Sequence, residues 1–143
     1  MQLTTHTDYS LRLLIYLGIH RGDTPATVQD AATRYRVSAN HLAKVAQTLV
    51  QLGYIISHRG RGGGLELALP TDEISIGAVV RRTENLQLLE CCGPNSTCPI
   101  DSGCHFKVML HEAQQAFLAV LDGYTLTDLI RNKRKLRGLL DAA

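Results

Sequence analysis

The sequence predicts a mainly α-helical fold with a small β-hairpin: a winged helix-turn-helix followed by a long dimerisation helix. Three observations carry it. Two short capped helical segments, joined by a tight turn, lie between residues 28 and 52. A glycine-rich hairpin tipped with arginines follows them directly. Beyond Cys104, apolar residues recur at helical spacing for about 18 residues.

The first helix is expected from about Thr7 to His20. Leu11, Leu14, Ile15 and Gly18 share one face, and Leu13 and Leu17 widen it toward burial. Arg21-Gly22-Asp23 closes it and Pro25 prevents continuation. Thr27 can cap a short helix, Val28 to Tyr35, with Asp30 favouring the dipole. After a break at Arg36-Val37, Ser38 caps a helix from Ala39 to Leu52, and Gly53 ends it. In this third helix Leu42, Val45, Ala46 and Leu49 fall on the core face. Asn40, Lys44, Gln47, Thr48 and Gln51 fall opposite, with hydrogen-bonding groups, one positive charge and no acid. That is a face suited to a groove lined by phosphates.

Tyr54 to Arg59 and Leu65 to Leu69 read as strands around Gly60-Arg61-Gly62-Gly63-Gly64. The glycines are not a nucleotide-binding loop, since no Gly-Lys-Ser/Thr follows and the run leads into a strand. Ile74 to Arg82 reads as a short helix after a linker at Pro70. Periodicity then disappears from Cys91 to Cys104, an irregular loop holding every cysteine of the chain. In the long helix that follows, Val108, Leu110, Ala113, Ala116, Phe117, Val120 and Leu121 form a broad apolar stripe that a second copy would cover. Thr125 can cap a last helix from Leu126 onward, with Arg131, Lys133, Arg134 and Lys135 along it. The organisation expected is residues 1–70 as the DNA-binding unit, and 71–143 as the cysteine loop with the dimerisation helices.

Composition narrows the classes. Of the 143 residues, 45 % are hydrophobic and 20 % charged, which excludes wholesale disorder. No apolar run approaches the roughly 20 residues of a membrane span. The start, Met1 to Thr5, shows no secretory signal, so the four cysteines are expected in a reducing cytoplasm. Residues 1–69 carry seven Lys/Arg against four Asp/Glu, whereas 70–143 carry eight against nine. The local basic excess fits a small nucleic-acid footprint. No nucleophile–base–acid constellation, dinucleotide motif or Cys-x-x-Cys appears, so no enzyme is expected.

Cys92, Cys98 and Cys104 are separated by five residues each, and Cys91 adjoins the first. A structural zinc site usually shows Cys-x2–4-Cys pairs, which are absent. Thiolates in such a loop favour an iron–sulfur centre, with zinc and redox-active thiols as the other readings. Cys91, His105 and His111 are nearby candidates for a fourth ligand. Cys91 and Cys92 could share one centre only if the backbone turns there.

Thr7-Asp8-Tyr9 ahead of an apolar helix, the Gly60–Gly64 wing and Cys-x5-Cys-x5-Cys before a long helix together resemble the Rrf2 family of bacterial winged-helix regulators. The resemblance spans essentially the whole chain. Met1 to Thr4, Ser38 to His41 and Gly123 to Leu129 look most like the nitric-oxide-sensing repressors of that family. Its branch that controls iron–sulfur assembly places a histidine three residues after the last cysteine, where this chain has Lys107. The resemblance implies a homodimeric repressor on double-stranded operator DNA, with nitric oxide as signal. It also implies an iron–sulfur cluster, 4Fe–4S favoured over 2Fe–2S, held by Cys92, Cys98, Cys104 and Asp8 of the partner subunit. The extra Cys91 departs from the family's pattern. Ser38, Asn40, His41, Lys44 and Gln47 are the candidate DNA contacts on the third helix, and Arg59 and Arg61 on the wing. Sensing of iron supply or of thiol oxidation on the same fold is the alternative.

Overall fold

The computed structural model describes residues 1–143 as seven α-helices and one two-stranded antiparallel sheet. Helix α1 spans Thr5–Ile19 and begins two residues before the expected Thr7, because the capping hydroxyl is that of Thr4, which accepts the Thr7 N–H at 3.3 Å. Its buried residues are Thr7, Ser10, Leu13, Leu14, Tyr16 and Ile19, whereas Leu11, Ile15 and Leu17 are only half-buried. The buried face is therefore rotated from the expected one. The reason is tertiary: α1 is packed by α3, α4, α6 and the second strand from different sides, so no single stripe describes it. The buried Ser10 hydroxyl is satisfied by the His6 carbonyl at 2.8 Å.

Helix α2 (Val28–Tyr35) starts where the Thr27 hydroxyl accepts the Asp30 N–H at 3.0 Å, and stops at Arg36, which is left-handed at φ 54°. Ser38 caps α3 (Ala39–Gln51) by accepting the His41 N–H at 3.3 Å. Leu42, Val45, Ala46 and Leu49 are buried, as their spacing predicts. Strands β1 (Ile55–His58) and β2 (Gly64–Leu67) are shorter than the β-prone runs, with Ile55 opposite Leu67 and His58 opposite Gly64. A further bond, Leu65 N–H to the Ala26 carbonyl at 2.7 Å, fastens the wing to the segment before α2.

Helix α4 (Ile76–Thr83) is capped by Ser75, and α5 spans His105–Asp122. The expected single last helix is in fact two, α6 (Leu126–Leu129) and α7 (Lys133–Asp141). Ile130 is drawn into the core at the break, and the Asn132 side chain accepts the Lys135 N–H at 3.2 Å to start a new helix. Paired backbone bonds, Leu126 N–H to Ile74 O (2.9 Å) and Ile76 N–H to Tyr124 O (3.0 Å), hold α6 against the entry to α4. One continuous core thus runs from Leu13, Leu14, Leu42 and Leu49 through Ile55 to Ile74, Val79, Leu126 and Ile130.

Helix α5 stands apart from that core. Only Leu118 is buried along it, while Phe106, Val108, Met109 and Val120 are each more than half exposed. Its main packing partner is α4, and Gln114 also donates to the Leu86 carbonyl beyond that helix. No helix is long and apolar enough to cross a membrane.

The α4–α5 junction depends on Gly77. A Cβ there would lie 2.0 Å from Asp122 Oδ1 and 2.9 Å from the Asp122 backbone nitrogen. Since the backbone itself is in the way, Gly77→Ala is expected to cost about 1–3 kcal/mol by overpacking. Urea unfolding of the two proteins side by side checks this, and unchanged midpoints would show that the junction yields freely.

Candidate nucleic-acid interface and cysteine loop

The face of α3 expected to meet DNA is open. Ser38, Asn40, Lys44 and Gln47 are exposed, and Lys44 makes no ion pair. Ser38 holds the first turn with its hydroxyl. His41 is half-buried and its ring leans on Tyr9, with centroids 4.9 Å apart, so part of it supports α1. At the wing tip Arg59 and Arg61 are exposed and unpaired. The tip turns through Gly60 and Gly62, both at positive φ (92° and 72°), and closes with Gly63 N–H to Gly60 O at 3.0 Å. His58 and Glu66 meet across the strands below it, at 2.9 Å.

The cysteine loop is irregular apart from two single 3₁₀ turns, Glu90–Cys92 and Asp101–Gly103. The first supplies a turn at the Cys91-Cys92 pair. All four thiols are free and half-buried. The Cys91 thiol is pushed up by partial burial and then by the neighbouring Cys92, Cys98 and Cys104, whose negative forms would repel its own. The four sulfurs thus share one electrostatic neighbourhood. No three donor side chains are gathered closely enough to grip a single metal ion.

Lys107, at the position where the assembly-regulating branch has histidine, is held by Asp101 at 2.7 Å. That bond lowers the Asp101 carboxyl and raises the Lys107 ammonium. Lys107, Cys92 and His111 line one cavity of about 320 Å³, together with Leu86, Leu88 and Val108. His105 is exposed at the start of α5. Asp8 lies in the first turn of α1, nearly half exposed, and binds Arg12 through both its oxygens at 2.8 and 3.0 Å. Arg12 in turn lies over the Tyr9 and Tyr35 rings.

Sequence reasoning missed the stretch that joins these parts. At the end of α4, Arg81 binds Asp122 of α5. Arg82 donates to the Leu52 carbonyl at 3.2 Å and lies over the Tyr54 ring, at the exit of α3. Thr83 donates to the Thr7 hydroxyl at 3.2 Å. Glu84 accepts from the Thr4 N–H (2.7 Å) and hydroxyl (3.1 Å), ahead of α1. The only signal available in sequence was a charged run after an apolar helix, which is usually a solvated end.

The chain matches the family model Rrf2, described as an iron-dependent transcriptional regulator, over residues 3–132. It is 49 % identical to the HTH-type transcriptional regulator NsrR of Halalkalibacterium halodurans, over 98 % of this chain and 97 % of that one. With the NsrR of Bacillus subtilis identity is 46 % over the same shares. Among solved structures it is similar to T. potens IscR, with TM-score 0.73 and 23 % identity over 92 % of this chain and 88 % of that one. Staphylococcus aureus CymR gives TM-score 0.68 and 31 % identity, over 88 % and 95 %.

Glu84 yields a pH prediction. Burial pushes its carboxyl up, but the hydrogen bonds from Thr4, Thr7 and Asn85 outweigh this and leave it below the ordinary value of 4.5. A lowered carboxyl stabilises the fold above that ordinary value and loses its contribution as pH falls through the folded one. Glu84→Gln should therefore cost about 0.5–1 kcal/mol at neutral pH, a small figure because the group is largely solvated. The gap to wild type should close as the pH falls below 4.5. Urea midpoints at neutral and acid pH measure it; a gap independent of pH would assign the effect to packing.

Proposed function

The chain belongs to the Rrf2 family of transcriptional regulators, and from that premise we propose a homodimeric, operator-binding repressor that senses nitric oxide through an iron–sulfur cluster. It is a regulator and not an enzyme. The observation that carries the cluster reading is a loop holding every cysteine of the chain as a free, part-exposed thiol. Soft thiolates suit iron–sulfur ligation. A structural zinc site usually takes Cys-x2–4-Cys pairs, and this chain has none. Lys107 is engaged with Asp101, which speaks against its position as the fourth ligand.

Cys92, Cys98 and Cys104 would hold the cluster, and Asp8 of the partner subunit would complete it. Within one chain Asp8 is bound to Arg12, but an ion pair this exposed is worth only about 0–1 kcal/mol, so exchanging it for iron costs little. The bare apolar face of α5 is the surface a second copy would cover. When bound, the cluster supplies iron that nitric oxide coordinates tightly, and its loss is the signal; a 4Fe–4S centre is favoured over 2Fe–2S.

The chain's own residues carry the consequence to DNA. Asp8 stands one turn from Thr4 and next to Thr7, which Glu84 and Thr83 hold, while Arg82 holds the exit of α3. A pull on the start of α1 therefore reaches both α3 and α5. Paired recognition helices must match half-sites about 34–36 Å apart, so a small shift in spacing weakens binding. Ser38, Asn40, His41, Lys44 and Gln47 would meet the major groove, and Arg59 and Arg61 the backbone or minor groove. In this division residues 1–70 bind DNA and 71–143 sense and dimerise.

Anaerobic purification with absorbance, iron and sulfide assays, followed by nitric oxide titration, tests the reading. Cys92→Ala, Cys98→Ala and Cys104→Ala should each abolish stable cluster binding, while Cys91→Ala should retain most of it. Equal loss in Cys91→Ala would make Cys91 the ligand in place of Asp8. A colourless, zinc-bearing protein would overturn the cluster altogether. A cluster that responds to iron supply or thiol oxidants, but not to nitric oxide, would move the protein to the alternative sensor class.

Asp8→Ala probes the coupling. It should allow assembly on three cysteines but shrink the difference in DNA affinity between cluster-bound and cluster-free protein. Fluorescence anisotropy of both forms of both proteins is the comparison. A variant keeping the full wild-type difference would show that the link between subunits runs elsewhere.

A further inference from the structure

The C-terminal helix carries charges that its own stability does not explain. Residues 131–137 include Arg131, Lys133, Arg134, Lys135 and Arg137, with no acid among them. Because the chain breaks at Ile130–Asn132, Lys133, Arg134 and Lys135 occupy the first turn of α7. Cations there oppose the helix macrodipole, so the placement weakens the helix. All three are exposed and none makes an ion pair. The nearby acids are already engaged, Asp128 by Arg131 and Asp141 by Arg34. With Arg21, just past the end of α1, the residues Arg131, Lys133, Arg134 and Arg137 line an open groove of about 540 Å³ that has no hydrophobic residue in its wall; Asp141 also lines it, and Lys135 projects beside it.

The strip is fixed to the DNA-binding half of the fold. Arg34 of α2 binds Asp141, the Arg137 side chain donates to the Ile19 carbonyl at the end of α1, and Leu136 and Leu140 pack on the core. Helix α2 is the first helix of the helix-turn-helix, the one that crosses the phosphate backbone when the recognition helix enters a groove.

We propose that Lys133 and Arg134, with Arg21 across the groove and the exposed Lys135 beside it, form a phosphate-binding strip for the duplex backbone flanking the half-site met by α3. The proposal rests on the DNA-binding reading above. Duplex DNA is the occupant the surface fits, by charge complementarity and by continuity with α2. A peptide would find no apolar surface to bury in the groove, and a small anion would stay in water on a face this open. Phosphate contacts carry no sequence information, so the strip adds affinity and leaves discrimination to α3 and the wing.

The experiment uses the full-length protein with a labelled random-sequence duplex of about 30 base pairs, titrated between about 50 and 200 mM salt. Each phosphate contact contributes about 0.9 to the slope of log affinity against log salt. The triple variant Lys133→Ala/Arg134→Ala/Lys135→Ala should flatten that slope by about 2 or more, and Arg21→Ala by about 1. The affinity lost should be the same on unrelated sequences, and the unfolding midpoint should hold or rise, since alanine favours the helix and removes the opposed charges. The charge-keeping Lys133→Arg/Lys135→Arg should retain the wild-type slope. Wild-type slope and affinity in the triple variant would overturn the strip. Wild-type protein that binds no duplex even at the lowest salt would instead overturn the DNA-binding reading, which keeps the two failures apart.

Discussion

Four consecutive side chains at the end of α4 hold the functional parts of this molecule in one arrangement. Arg81 reaches α5, Arg82 reaches the exit of α3, and Thr83 and Glu84 reach the start of α1. The geometry follows from helix periodicity, since successive residues point about 100° apart and one short turn can therefore address several neighbours. The cysteine loop begins a few residues later, at Cys91. Each bond is individually modest, being largely exposed. Their value lies in joining three elements that would otherwise move independently.

Burial is distributed unevenly in a way that matches this layout. The core is continuous from α1 through α3, the wing and α4 to α6, and its large side chains are fully enclosed. Helix α5 and the cysteine loop are bare by comparison. A region with few buried apolar contacts opens at low free energy. The same exposure leaves the thiols accessible to small molecules and the α5 face free for a second chain. Stability is thereby concentrated in the helix-turn-helix, the wing and α4 to α6, and withheld from α5 and the cysteine loop.

Capping organises the remaining detail. Thr4, Thr27, Ser38, Ser75 and Asn132 each accept a backbone N–H at a helix start, and Asp128 accepts the Thr125 N–H at 2.8 Å. These local bonds set where α1 through α4 and α7 begin, and so set which residues face the core. In α7 the cap at Asn132 moves the cations into a first turn, converting an expected basic helix end into a concentrated surface strip.

Much of this was legible from residue spacing. The bounds of α2 and α3, their Thr27 and Ser38 caps, the core face of α3 and the glycine wing all follow from local bonds and from a 3.6-residue period against one neighbouring surface. The cysteine loop was legible as irregular because its glycines and prolines deny it a period. Contacts across long separations in sequence were not. The buried face of α1 depends on packing from several sides, and the break before α7 depends on Ile130 entering a core built largely from residues before 80. The engagement of Arg81 to Glu84 by three other elements is set by tertiary packing. Spacing encodes which face a residue occupies. It holds no information on what stands opposite that face, and only the packed chain supplies it.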